Sequence, residues 1–194
     1  MILRNTIRYI VYIFFFSLIG CSQESTFEEL ISYDNKGILL NDFESSKLNY
    51  KISLPINVTL VDYKYSDGYS VESFVDTSTF EKSIINSITV IKYKKSNSSL
   101  HKEWKKQKNK KKNLNFKVKS NGLINFLDST TYYEYLSISN EPSKNFETVI
   151  FLTNGKVDEY FIISVLSTIE DNYPLEMKKL LSSVKTFKFT LTNP

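Results

Sequence analysis

Apolar and polar positions change period several times along the chain, and each change marks an element. Leu48, Tyr50, Ile52 and Leu54 alternate with polar neighbours ahead of Pro55, the period of two expected of a half-buried strand. Val58 to Asp76 has two strand-like halves broken at Asp67-Gly68, a pair suited to a hairpin turn. Ser87 to Lys95 is rich in β-branched residues and is expected at or near the centre of a sheet. From Leu100 to Lys112 there is no glycine, proline or β-branched residue, and Asn97, Ser98 and Ser99 offer caps. That segment is expected to be a helix docked through Leu100 and Trp104, its remaining length facing water. A short strand up to Gly122 and a longer one over Thr130 to Ser139 follow, then two strands over Glu147 to Thr168 joined at Asn154-Gly155. Met177, Leu180, Leu181 and Val184 recur at helical spacing behind Pro174, with Asp171 or Asn172 as cap, and Val184 to Leu191 reads as a last strand. Near the start, Thr26 and Glu29 have capping-box spacing, so a short helix ending near Gly37 is expected, with Leu39 to Lys47 as a linker.

Composition adds little to this picture. The 194 residues are 41% hydrophobic and 24% charged with 5 glycines and 4 prolines, which excludes a low-complexity or disordered chain. One globular domain with appendages fits, since a chain of about 150 residues removes roughly 70% of its unfolded surface from water.

The first twenty residues change more. Arg4 and Arg8, the only arginines, precede the apolar run Ile10 to Ile19, which is too short to span a bilayer as a helix and has the form of an export signal. The run ends in Leu18-Ile19-Gly20-Cys21, which resembles the lipobox of bacterial lipoproteins. That resemblance implies cleavage before Cys21, a diacylglycerol thioether on its sulfur and a further acyl chain on its amine. Each buried methylene would add about 0.8 kcal/mol to membrane anchoring. Ser22 after the cysteine resembles the pattern of lipoproteins sent to the outer membrane in Gram-negative bacteria. A lone cysteine fits neither a disulfide framework nor a cysteine metal cluster. The expected organisation is a signal peptide over 1–20, a tether with a short helix over 21–46 and a folded domain over 47–194.

Losing residues 1–20 would remove both arginines and no acid, leaving 23 lysines against 21 carboxylates. Charge is then uneven, because His101 to Asn113 carries seven lysines and one glutamate. Nucleic acid is excluded as a partner: an exported chain does not meet it, and base readout favours arginine, which the exported portion lacks. Lys105, Lys106, Lys108, Lys110, Lys111 and Lys112, with Trp104 beside them, are either a solvated helix face or a contact for anionic lipid headgroups.

The order of elements, from a strand closed by Leu54-Pro55 to a helix closing on Ser182-Ser183-Val184-Lys185-Thr186-Phe187, is similar to the PsbP-like superfamily, which includes lipoproteins of the DcrB and LpqN kind. The resemblance covers roughly Ser46 to Leu191. It implies an α+β fold, an antiparallel sheet flanked by helices as an α/β/α sandwich, and a binding or accessory role without catalysis.

No catalytic constellation stands out. His101 is the only histidine and sits among lysines, so neither a Ser-His-Asp triad nor a zinc site can be assembled, and no cofactor is called for. Asp62, Asp67, Glu72 and Asp76 do not have calcium-loop spacing and read as solvated carboxylates. Tyr133, Tyr135 and Tyr160 fall on neighbouring strands and are candidates for an aromatic ligand cleft, against the competing reading that they pack a core. The expected function is a lipid-anchored, non-enzymatic envelope module. Its partners are a membrane, through the anchor, and another envelope protein or a small ligand.

Overall fold

The computed structural model describes residues 26–32, 37–82, 84–94, 99–111, 116–126, 129–139, 145–155, 158–169 and 173–190. The segment expected to be an export signal, Cys21, Lys112 and the expected caps Asp171 and Asn172 lie outside them. The described residues include the α-helices α1 (Phe27–Ile31), α2 (Leu100–Lys111) and α3 (Tyr173–Lys185), with a 3-10 helix over Thr77–Lys82. The strands are β1 (Leu40–Ser45), β2 (Tyr50–Pro55), β3 (Val58–Tyr65), β4 (Tyr69–Asp76), β5 (Asn86–Lys94), β6 (Phe116–Phe126), β7 (Ser129–Ser139), β8 (Asn145–Asn154), β9 (Glu159–Thr168) and β10 (Lys188–Phe189).

Seven strands form one antiparallel sheet in the order β3-β4-β5-β9-β8-β7-β6. Two meanders, β3-β4-β5 and β6-β7-β8-β9, therefore meet at the β5–β9 pair, and α2 lies in the connection from β5 to β6 that links them. A smaller sheet, β1-β2-β10, lies with α1 and α3 over one face of the large sheet, which we call the inner face. The inner core joins Tyr50 and Ile52 of β2, Met177 and Leu181 of α3, and Phe74, Ile88, Phe151 and Ile163 of the large sheet. The outer face carries α2, seated through Trp104 on Leu152, Tyr160 and Ile162. Alternation explains the division: Phe161, Ile163 and Val165 point inward, Tyr160 and Ile162 outward.

Four sequence expectations are corrected. Residues expected as a linker form β1, which pairs along its whole length with β2 from Leu40↔Pro55 to Ser45↔Tyr50. It is an edge strand with only Ser45 fully buried, so it lacks the apolar alternation that announces an interior strand. The first helix ends at Ile31 rather than near Gly37. Its capping box is formed as expected, with Thr26 Oγ1 accepting from Glu29 N–H (3.2 Å) and Glu29 accepting from Thr26 N–H (3.1 Å). β6 does not stop at Gly122 but runs to Phe126, because the ring of Tyr133, directly opposite, covers the glycine. A Cβ there would stand 3.2 Å from that ring, so the missing side chain makes room for the tyrosine. Finally, α3 continues to Lys185, leaving a last strand of two residues.

Candidate functional site

The tyrosines expected to share a cleft do not. Tyr133 and Tyr135 point into the inner core, Tyr133 stacked on Phe27 at 3.9 Å between centroids, whereas Tyr160 faces outward under α2 and stacks on Tyr93. All three are buried inside the fold rather than lining an open cleft. On α2, Leu100, Glu103 and Trp104 face the sheet, while Lys102, Lys105 and Lys106 are exposed and Lys108 is half-buried. Trp104, 6% exposed, stacks on Tyr132 at 5.5 Å and is not at the surface, which corrects its reading as an interfacial contact. Lys108 donates to Asn121 Oδ1 (3.3 Å). Lys110 and Lys111 fall in the last turn of the helix. His101 Nδ1 lies 2.9 Å from the Tyr132 hydroxyl, a surface contact beside the docked tryptophan.

What the sequence did not disclose is a set of buried carboxylates held by tyrosines. Glu72, 2% exposed and expected in solvent, accepts from the hydroxyls of Tyr50 (2.5 Å), Ser45 (2.8 Å) and Tyr65 (2.9 Å), tying the small sheet to the large one. Its position two residues before buried Phe74 was the available signal, since period two puts both on the inner face. Glu147 accepts from Tyr135 and pairs with Lys119, whose position in a β-bulge leaves it outside the strand ladder. Under α2, Tyr160 donates to Glu103 (3.3 Å). Burial, then the Glu72 charge, hold the Tyr50 hydroxyl protonated far above the ordinary tyrosine range. Tyr65 is pushed up to about 12, by burial first and then by its hydrogen bond to Glu72. Burial and the Glu103 charge raise Tyr160 in the same sense. These tyrosines are therefore proton donors to carboxylates inside the fold.

The linkage has a definite sign. Tyrosine in an unfolded chain ionises near pH 10, whereas Tyr50 stays protonated in the folded one. Its contribution is fully present below about pH 10 and is lost as pH rises beyond it, because the unfolded chain releases its proton first. Tyr50→Phe should cost about 1.5–3 kcal/mol at neutral pH, by removing one hydrogen bond to a charged group, and should flatten the fall in stability above pH 10. Urea midpoints of both proteins at neutral and alkaline pH test this, and parallel curves would contradict it.

Among the described residues, a groove of about 720 Å³ lies between the end of α1, the β6–β7 hairpin and the turn from α3 into β10. Small-molecule sites span roughly 300–1,000 Å³. Ile31, Phe126 and Phe187 give it an apolar floor, and exposed Lys185 and Lys188 stand at its rim. The α3–β10 turn sets that rim: Thr186 donates its hydroxyl to the Ser183 carbonyl (2.7 Å) and Phe187 N–H donates to Val184 (3.1 Å), reversing the chain within three residues. Phe187 is fixed by stacking on Tyr50 at 4.7 Å, and Phe126 on Phe151 at 5.1 Å. A second groove, about 660 Å³, lies across β10, shares both lysines and adds Asp42, Glu44 and Lys51. Among the described residues no three potential metal ligands cluster, and no helix is long and apolar enough to cross a membrane.

The sequence matches no family model and no curated protein. Solved structures do resemble it. The Ran-binding protein Mog1p of Saccharomyces cerevisiae is 10% identical and superimposes with a TM-score of 0.53, over 78% of this chain and 96% of that one. The cyanobacterial PsbP protein of Synechocystis sp. PCC 6803 is 14% identical with a TM-score of 0.53, over 89% and 99%. This is a PsbP-like fold. At such identities the likeness establishes architecture, an antiparallel sheet with a few helices, and leaves activity to be argued from the site.

Proposed function

We propose that the protein is a lipid-anchored, non-enzymatic accessory module of the cell envelope, which holds a partner or small ligand at the membrane surface. The observation that carries this reading is the sequence Leu18-Ile19-Gly20-Cys21 behind a short apolar run, just ahead of the folded domain. Thr26, the cap of α1, is five residues past Cys21, a reach of at most about 18 Å even for a fully extended chain. An acylated Cys21 would thus hold the domain close against its membrane.

Two features support a binding rather than catalytic role. Glu72, Glu103 and Glu147 are buried and committed to hydroxyl or ammonium partners within the fold. The fold is also shared with Mog1p, itself described as a Ran-binding protein, a fold-level analogy for binding. If the cell is Gram-negative, Ser22 favours the outer membrane.

Cross-linking in intact cells, followed by purification of the tagged full chain from the membrane fraction, tests the accessory role. A discrete, reproducible envelope partner is expected, lost when groove residues are changed. A specific hydrolytic activity on envelope substrates that disappears on replacing one acidic or serine residue would overturn the reading.

A further inference from the structure

We propose that two copies of this chain pair through the free edge of β3, antiparallel and centred on Tyr63, joining their large sheets across a two-fold axis. Among the described residues β3 pairs only with β4, and its residues from Thr59 to Tyr65 are all exposed, Tyr63 at 64%. An edge that holds Leu60, Val61, Tyr63 and Tyr65 in solvent is a template for another strand.

The backbone fixes which groups that edge offers. Ser66 N–H donates to the Tyr69 carbonyl (3.0 Å), so the alternate residues Lys64 and Asp62 direct their amides and carbonyls to β4. Those of Tyr63 and Tyr65 therefore point to the open side. Antiparallel pairing about Tyr63 makes it a hydrogen-bonded pair with its own copy. Asp62 then stands opposite the partner's Lys64, and Lys64 opposite the partner's Asp62, at the closer spacing of non-hydrogen-bonded pairs. Lys64, lying over the Tyr69 ring at 5.3 Å, is on the same face of the strand as Asp62. This self-complementarity singles out a second copy as the occupant. The other long edges lack it: β1 carries Asp42 and Glu44 with no base, and β6 carries Lys117 and Lys119 with no acid. The bulge between Leu60 and Asp62 and the turn after Tyr65 confine pairing to a short stretch, and the two-fold axis closes it, so a dimer forms rather than a fibre. The contact is small beside the roughly 800 Å² per partner of a standard interface, so the dimer is reversible.

The test uses the chain from residue 21 with Cys21→Ser, which keeps every described element and leaves no cysteine. Adding Tyr63→Cys puts the one thiol on the axis, where opposed Cα atoms about 5.5 Å apart suit a disulfide. Under mild oxidation with copper phenanthroline it should cross-link to a dimer at least about tenfold faster than Thr59→Cys, whose two copies would lie more than about 20 Å apart. Asp62→Lys or Lys64→Asp, added singly to Tyr63→Cys, should slow the reaction about tenfold, since both symmetry-related pairs become like charges. An equimolar mixture of those two variants brings opposite charges together again and should cross-link within about threefold of the Tyr63→Cys rate. Sedimentation of the chain carrying only Cys21→Ser should show a monomer-dimer equilibrium below about 1 mM. Thr59, Asp62, Tyr63 and Lys64 are all exposed, so unfolding midpoints should stay where they are. Equal rates at Tyr63 and Thr59, a charge effect that mixing does not rescue, or a strict monomer would overturn the proposal, the last leaving the edge to a strand of another protein.

Discussion

Phe27→Ala is expected to lower the stability of the domain by about 3–5 kcal/mol, the range for deleting a large buried aromatic side chain. Phe27 is 3% exposed and lies nearly parallel to the Tyr133 ring, 3.9 Å away, with Phe151 beyond it at 6.3 Å. Tyr133 in turn covers Gly122, so a cavity under α1 would loosen the inner face out to the edge strand β6. That loss is comparable with much of the 5–15 kcal/mol by which domains are ordinarily stable. Urea unfolding followed through the sole tryptophan, Trp104, measures it from the opposite face of the sheet and so reports global unfolding. Thr26→Ala, which removes the cap, should cost only about 1 kcal/mol. Were α1 merely part of a flexible tether, Phe27→Ala would stay within about 0.5 kcal/mol of wild type.

How much of this the sequence disclosed depended on whether a signal was local. The alternation of Leu48, Tyr50, Ile52 and Leu54 announced β2, and Asn154-Gly155 announced the β8–β9 turn, because both are written within a few residues. So was the two-sided character of α2, whose Leu100 and Trp104 share a face at a spacing of four, although the burial of Glu103 beside them was not. β1 escaped notice because an edge strand held by backbone pairing needs little apolar patterning. Gly122 looked like a stop because the residue that excuses it, Tyr133, is on another strand. The error over Tyr133, Tyr135 and Tyr160 has the same root. Each strand reveals that its residues alternate, but only the register, Tyr133↔Phe151↔Ile163 on one face and Tyr132↔Leu152↔Ile162 on the other, reveals which tyrosines share a side. The groove was illegible for a related reason, since Ile31, Phe126, Lys185 and Lys188 come from four elements brought together only by the fold.

Cys21→Ser is expected to abolish acylation completely, the largest functional effect of any single change. The sulfur is the atom that forms the thioether, and serine's hydroxyl is far less nucleophilic than a thiolate. Cells given radiolabelled palmitate should label the wild-type chain, and the variant should fall to background while retaining residues 1–20. Its folded domain should be untouched: the described core begins at Phe27, so the urea midpoint of the variant chain from residue 21 should match the wild type. Unchanged labelling of Cys21→Ser would place the lipid elsewhere and remove the basis for holding the α1 face against a membrane.

The most direct measurement is mass spectrometry of the N-terminal peptide of the protein isolated from its own membranes. A peptide that begins at Cys21 and carries a diacylglycerol thioether, with or without a further acyl chain on its amine, is the predicted result. An unmodified Cys21, or a chain beginning at any other residue, would contradict the account.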